Sequence, residues 1–428
     1  MTMKTKRDIY NLIEAEDVEF IRLQFADIYG GLKNIAVTLG QIEKVLEGKF
    51  SVEGEAIFDG VYDPEEDLYL YPDLDSFVIL PWRPQQSKVG KFICDVYRED
   101  GTPYNLSPRT ILEKVLDQAT EEGFTFIVDP ECEFYLFHTD ENGVPTTVNH
   151  EKAGYLDVGP LDLGENARRD MVLTLEEMGF DVESSHHEKG AGQHEISFTQ
   201  GEALETADSL MTFKFAIRSI AKRFGLYATF MPMPRAGLVG SGMHLNLSLR
   251  KDGKNLFDQS ADGEISEYAK YFMGGIMEHA GALCAITNPI VNSYKRILCG
   301  KDAPKKVDWA TRGEKSMIKL CNLLGETKVE LRFPDPAANP YLAIAVCIAA
   351  GLDGVRRKLT PGAEKAEDAV LLPGNLKDAL TCLEQDELLR KTLGEEFVKV
   401  YLDVKQLEWN DYMKQVSDWE VETYLAKM

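Results

Sequence analysis

Apolar and polar residues alternate with period two along four stretches near the start of the chain: "EFIRLQFADI", "LKNIAVTL", "DSFVILPW" and "KFICDVYRED". Such alternation marks a half-buried strand, because successive side chains point to opposite faces. Short helical patterns occupy residues 6–16 and 40–48. The pattern predicts a small, mostly β domain over residues 1–103. The turn-rich stretch "REDGTPYNLSPRT" closes it, and Ser107-Pro108 reads as an N-cap followed by proline at the first helical position. A helix over 108–122 then opens a second domain, residues 104–428. Helical stretches follow at 165–178, 203–224, 264–285, 338–358, 374–383 and, in pieces, 387–428. Strands are expected near 126–138, 179–188, 193–199, 226–232, 242–250 and 326–333. The chain shows no internal repeat, and the order reads as an α+β fold of antiparallel strands with helices on the outside.

Several of these strands carry chemistry on one face. In "DPECEFYLF", Glu131 and Glu133 share a face opposite Cys132 and Phe134. "GSGMHLNLSL" sets His244, Asn246 and Ser248 against Leu245, Leu247 and Leu249, and "KVELRFPDP" sets Glu330 and Arg332 against Val329 and Leu331. "SSHHEKGAGQHEIS" reads as a hairpin, with Lys189–Gly192 as the turn and Glu188 and Glu195 on neighbouring strands. Taken singly, the hairpin is as well explained by a wet strand face as by a binding site, and the other faces are better explained as structural. If the faces line one cavity, their carboxylates repel there, and bound cations are what make the arrangement stable. Oxygen-rich ligation favours Mg²⁺ or Mn²⁺ over zinc, and the HExxH helix of zinc proteases is absent.

Composition narrows the classes. A formal net charge of −24 over 428 residues argues against nucleic acid or an anionic membrane as partner. The seven cysteines are odd in number and widely spaced, which fits free thiols in a reducing, cytoplasmic setting. The first twenty residues lack an apolar signal core, and "YLAIAVCIAAGL" is too short to span a bilayer.

At this point the residues resemble bacterial type I glutamine synthetase over essentially the whole chain. The landmarks include "IRLQFADIYGGLKN", "PECEFYLF", "GYLDVGPLDLGENARRD", "SHHEKGAGQHEI", "GSGMHLN", "TNPIVNSYKR" and "DPAANPYLA". The resemblance implies an N-terminal β-grasp domain, a catalytic domain built as an antiparallel half-barrel flanked by helices, and a dodecamer of two hexameric rings with sites between subunits. It implies two or three Mg²⁺ or Mn²⁺ ions per site, with ATP phosphorylating the γ-carboxylate of glutamate before ammonia displaces the phosphate. By the same resemblance, Glu131, His244 and Glu330 hold the ion by the phosphates, and Glu133, Glu188 and Glu195 hold the ion by the glutamate. Gly240, Arg296, Arg332, Tyr155 and Glu188 fall at substrate positions, the last two in the ammonium pocket. Glu183, Asn246, Ser248 and Lys319 fall at nucleotide positions.

The chain also departs from the family. Met233 stands for a lysine and Val239 for an asparagine, and the loop "VEGEA" puts Glu53 at the ammonium-binding aspartate and Ala56 at a serine. In the flap, "CGKDAP", Asp302 stands for a glutamate. In "WATRGEKSMIKL", Glu314 occupies the place of a transition-state arginine and Lys319 that of the next one. Two functional readings follow. One is an ATP-dependent carboxylate–amine ligase using ammonia or a small amine. The other is a catalytically impaired relative acting as a metal- and ligand-binding regulatory assembly.

Overall fold

The computed structural model describes residues 3–82, 86–259, 262–313, 315–323 and 325–428, the side chain of Leu323 excepted. Near the N-terminus, Thr5 and Asp8 form a capping box over helix Lys6–Ala15. Six strands follow: β1 (Val18–Ala26), β2 (Leu32–Thr38), β3 (Phe50–Glu53), β4 (Asp67–Pro72), β5 (Val78–Ile79) and β6 (Lys88–Tyr97). They form one sheet in the order β2-β1-β6-β4-β3, with β5 also on β6 and only the β1–β6 pair parallel. Ile21, Leu23 and Phe25 of β1 face the core, as the alternation requires. The expected strand over 75–82 shrinks to β5, because Asp73 caps a 3₁₀ turn at Leu74–Ser76 that uses up its first residues. β3 and β4 were not expected: β3 is too short to show a period, and β4 alternates leucine with half-exposed tyrosine.

A buried charge network fixes this sheet to the second domain. Arg109, in the first turn of helix Pro108–Glu121, reaches Asp73 at 2.6 Å and Asp208 at 2.9 Å, and also pairs with Asp95. Tyr341 donates to Asp208 at 2.7 Å, and buried Lys91 of β6 donates to Thr212 at 2.7 Å. Removing one partner of such a network costs roughly 3–5 kcal/mol, since the remaining charges stay buried and uncompensated.

The second domain holds β7 (Thr125–Cys132), β8 (Phe134–His138), β9 (Val182–His187), β10 (Gln193–Phe198), β11 (Gly201–Glu202), β12 (Leu226–Thr229), β13 (Met243–Lys251), β14 (Lys254–Asn255), β15 (Trp309–Ala310), β16 (Ile318–Leu323) and β17 (Glu326–Leu331). These make two sheets: one ordered β12-β8-β10-β9, the other β11-β7-β13-β17-β16-β15 with β14 on β13. All pairs are antiparallel except β15–β16. The strand expected over 126–138 is therefore two strands. Glu133 is the residue between them, where the chain leaves one sheet for the other. Its backbone N–H donates to the Gly242 carbonyl at 3.0 Å, which pins the corner to the start of β13.

Helices cover the sheets, but some of them lie inside rather than in the expected outside placement. Helix Pro340–Arg357 is buried along most of its length and packs against other helices. Helix Glu267–Glu278 crosses it so closely that a Cβ on Gly275 would meet the Ala350 carbonyl oxygen at 2.1 Å. The helix expected over 264–285 divides at His279 into Glu267–Glu278 and Ala280–Thr287. The imidazole at this division is clamped, with Nδ1 2.6 Å from Asp386 and Nε2 3.2 Å from Asp353. Arg357 reaches Asp353 at 2.7 Å and Glu278 at 3.5 Å. No described helix is long and apolar enough to cross a membrane.

Burial alone would lower the pKa of His279, but Asp386 and Asp353 overcome it and hold the ring above its ordinary value of 6.5. A group raised on folding stabilises fully below its unfolded pKa and loses that contribution as the pH rises through the folded value. The variant His279→Gln is therefore expected to be less stable than the wild type by roughly 2 kcal/mol at about pH 6, with the gap narrowing above neutrality. Urea unfolding over a pH series checks this, and a gap that does not change with pH would contradict it.

Candidate metal centre

β13 shows how the sequence builds the site. Met243, Leu245, Leu247 and Leu249 are fully buried in the apolar core, which turns His244, Asn246 and Ser248 to the opposite face. Register then decides their neighbours. His244 lies opposite Glu131, Asn246 lies between Asp129 and Glu330, and Glu330 lies opposite Lys319. Ligand atoms of Glu131, His244 and Glu330 all fall within 4.8 Å of one another. His244 Nδ1 is 3.0 Å from Glu131 and 3.7 Å from Glu330, and Asn246 donates to Glu131 at 3.1 Å. Positive side chains lean on the same cluster. Lys319 Nζ is 3.1 Å from Glu330, and Arg332 donates to the other Glu330 oxygen. Burial would raise the pKa of Glu131, but the bond and charge of His244, then Asn246 and Arg332, hold it near 2.

The second cluster comes from the corner and the β9–β10 hairpin. Gly192 takes the positive φ of +82° that the turn needs, and a Cβ there would meet the Leu136 carbonyl at 2.9 Å. His186 lies opposite Glu195 in the hairpin register, and His186, Glu188 and Glu195 bring ligand atoms within 4.8 Å of one another. Glu133 faces the same space from the corner, where it accepts from Gln193 Nε2 and from the Gly242 N–H, each at 2.8 Å. Burial, then the charges of Glu188 and Glu195, push the Glu133 carboxyl well above the usual range. Burial and Glu195 raise Glu188 in the same sense. Two buried carboxylates and a third at the corner beside them form a site suited to a cation, and an oxygen-rich donor set suits a hard divalent ion.

The remaining sequence candidates fall at varied depths. Arg296 is only 3% exposed and gives its donors to the Arg332, Phe333 and Pro334 carbonyls at 2.8–3.2 Å. A Cβ on Gly242 would meet Arg296 Nη2 at 2.8 Å, so the guanidinium lies directly against the residue that precedes β13. The carbonyl of Gly240 accepts from Gln193 at 3.3 Å. Tyr155 sits edge-on to His186, with ring centroids 5.8 Å apart. Asp302 pairs with Lys189 on the hairpin turn at 3.3 Å. Ser248 Oγ is buried with no hydrogen-bond partner among the described residues, and Glu183 stands at the start of β9, where burial and then Asp129 raise its pKa. Met233 is buried in an apolar cluster. Glu53 lines a separate acidic hollow of about 1130 Å³ with Glu55, Asp63, Glu65, Glu66 and Asp67. Glu314 lies outside the described residues.

The sequence reading missed two residues. His186 joins the second cluster, and its place two residues before Glu188 on one strand was the available signal. Lys328 is buried on the same sheet face and bonds Asp129 at 2.8 Å; its place two residues before Glu330 gave the same signal.

Known proteins bear on this geometry. A family model described as the glutamine synthetase catalytic domain matches residues 105–424, and one described as the glutamine synthetase beta-Grasp domain matches residues 17–99. "Glutamine synthetase" of Clostridium saccharobutylicum is 49% identical over 442 residues, covering 100% of both chains. "Glutamine synthetase" of Thermus thermophilus is 44% identical, covering 99% of each. A solved "GmaS/ADP complex-Conformation 1" superposes with a TM-score of 0.90 at 31% identity, covering 98% of this chain and 99% of that one.

Relieving the repulsion at the corner has a measurable sign. The variant Glu133→Gln is expected to be more stable than the wild type without divalent ions, by on the order of 1 kcal/mol. It is also expected to gain less stability from Mn²⁺. Thermal unfolding with EDTA and with Mn²⁺ measures both, and a variant destabilised without ions yet stabilised normally by Mn²⁺ would contradict the electrostatic account.

Proposed function

The chain belongs to the glutamine synthetase family of ligases, and from that premise we propose that it is an ATP-dependent carboxylate–amine ligase. In this reading it forms a γ-glutamyl amide from glutamate or a close analogue and ammonia or a small amine, through an acyl phosphate. The observation that carries the reading is the pairing of two carboxylate clusters at one sheet corner with Lys319, Lys328 and Arg332 on the same sheet face. The solved GmaS complex, similar along nearly all of its length, contains ADP by its own description, which supports a nucleotide here.

Each group has a task in this proposal. Glu131, His244 and Glu330 would hold one Mg²⁺ or Mn²⁺ ion, and Glu133, Glu188 and Glu195 another, with His186 beside it. When bound, such ions neutralise phosphate oxygens and hold a carboxylate. Lys319 contributes positive charge at the phosphate end, in the row where the family places arginine. Arg332 presents a planar fork suited to a carboxylate. Arg296 acts by spending its donors on the carbonyls around Arg332, which fixes that backbone. Asn246, Ser248 and Glu183 lie on the nucleotide side, Tyr155 and Glu188 on the amine side, and Asp302 over the mouth of the site.

The proposal extends to assembly. Glu53 lies in a hollow apart from this chain's cation clusters. That position suits a loop reaching the site of a neighbouring copy, in a cytoplasmic dodecamer of two hexameric rings. Division of the chain at 1–103 and 104–428 fits the same plan.

Purified protein with ATP, Mg²⁺, glutamate and a panel of amines is expected to release ADP in an amine-dependent manner. The variant Lys319→Met is expected to lower kcat by roughly 10²-fold, the usual cost of one lost transition-state donor. No amine-dependent turnover across the panel, with Mn²⁺ binding intact, would overturn the ligase reading and leave a metal-binding regulatory assembly.

A further inference from the structure

The β9–β10 hairpin has a second polar face. Alternation sends His186, Glu188 and Glu195 toward the cation site, and it sends His187 and His194 to the reverse side, where both are fully buried. There the Glu151 carboxylate meets His187 Nε2 at 2.6 Å and accepts from the Gly192 N–H. Its other oxygen accepts from the Leu163 N–H at 2.9 Å. His187 Nδ1 donates to the Glu188 carbonyl oxygen at 2.6 Å. One carboxylate thus holds both ends of the turn that carries Glu188. Asn149 adds a bond to the Ala191 carbonyl at 2.6 Å, and the Leu156 N–H donates to the His187 carbonyl at 3.0 Å.

We propose that Glu151 and His187 are positioning residues for the Glu188 cation ligand, so that segment 149–163 sets the affinity of the second cation site from behind. The inference rests on the reading that Glu133, Glu188 and Glu195 hold a divalent ion. Bonding fixes the backbone of Glu188 on one side through His187 and on the other through Gly192. A short carboxylate ligand has little freedom to recover from a backbone shift of even 1 Å. Second-layer partners of this kind cost about 10–100-fold in metal affinity when removed.

The reverse-side cluster could itself be read as a metal site, since Glu151, Asp162, His187 and His194 offer ligand atoms within 4.8 Å of one another. The guanidinium of Arg168 argues against that. It lies 2.6 Å from Asp162 and 2.8 Å from His194 Nδ1, so a fixed positive charge already serves the acid there. Asp162 is bonded further by the Gly164 N–H at 3.0 Å.

The test is Mn²⁺ binding to the full-length chain, followed through the electron paramagnetic resonance of the free ion. Glu195→Gln identifies which binding class belongs to the second site. Glu151→Ala is expected to weaken that class about 10–100-fold and leave the Glu131–His244–Glu330 class unchanged, measured at a temperature below the melting point of the ion-free variant. Glu151→Gln keeps an acceptor oxygen and is expected to fall between, and it decides the matter if the alanine variant does not fold. Unaltered binding in a folded Glu151 variant overturns the proposal alone. Loss of a third class of ion in Glu151→Ala overturns it in favour of a reverse-side metal site. A wild type that binds no Mn²⁺ overturns the cation reading and this proposal with it.

Discussion

Mutual repulsion among buried carboxylates is the constraint on which the rest of this molecule turns. Glu131 and Glu330 converge with His244, and Glu133 with Glu188 and Glu195, at the corner where the chain passes from one sheet to the other. Glu188, Glu195 and Glu330 are buried, so each of these charges is expensive unless it finds a partner. The two clusters meet that demand unequally. Lys319 and Arg332 lean on Glu330, and Lys328 neutralises Asp129 on the same face. The Glu133 cluster has Gln193 and His186 instead, and the pKa of Glu133 is driven up first by burial and then by its acidic neighbours. A cation would therefore matter most at the corner.

The remaining architecture keeps those acids where they are. Leucines on the reverse of β13 anchor the polar strand face in the core, and the Arg109 network locks the N-terminal sheet against the second domain. Behind the hairpin, Glu151 and His187 hold the turn that presents Glu188. Arg296 fills the space under the glycines at 240 and 242, which are small because a side chain there would collide with it.

Much of this was legible in the sequence because strands obey a strict period. Once Leu245 and Leu247 are assigned to the core, His244 and Asn246 must share the other face, and likewise for Glu330 beside Val329. Features that depend on pairing rather than on period were hidden. The corner at Glu133 carries no turn residue to mark it, so one strand was expected where two sheets meet. The strand β16 was not among those expected, and it gains order from pairing with β17. The division at His279 depends on Asp353 and Asp386, which lie 74 and 107 residues away in sequence. Arg296 reads as an open substrate grip from its motif, yet its guanidinium is committed to main-chain carbonyls. No local pattern reveals that commitment.

The central claim is that the two acidic clusters, and not the reverse-side network, are the cation sites. Crystals grown with Mn²⁺ and measured at an energy where manganese scatters anomalously test it most directly. The account predicts one anomalous peak among Glu131, His244 and Glu330 and another among Glu133, Glu188 and Glu195. A peak among Glu151, Asp162, His187 and His194, or none at the corner in crystals that have taken up manganese elsewhere, would contradict it.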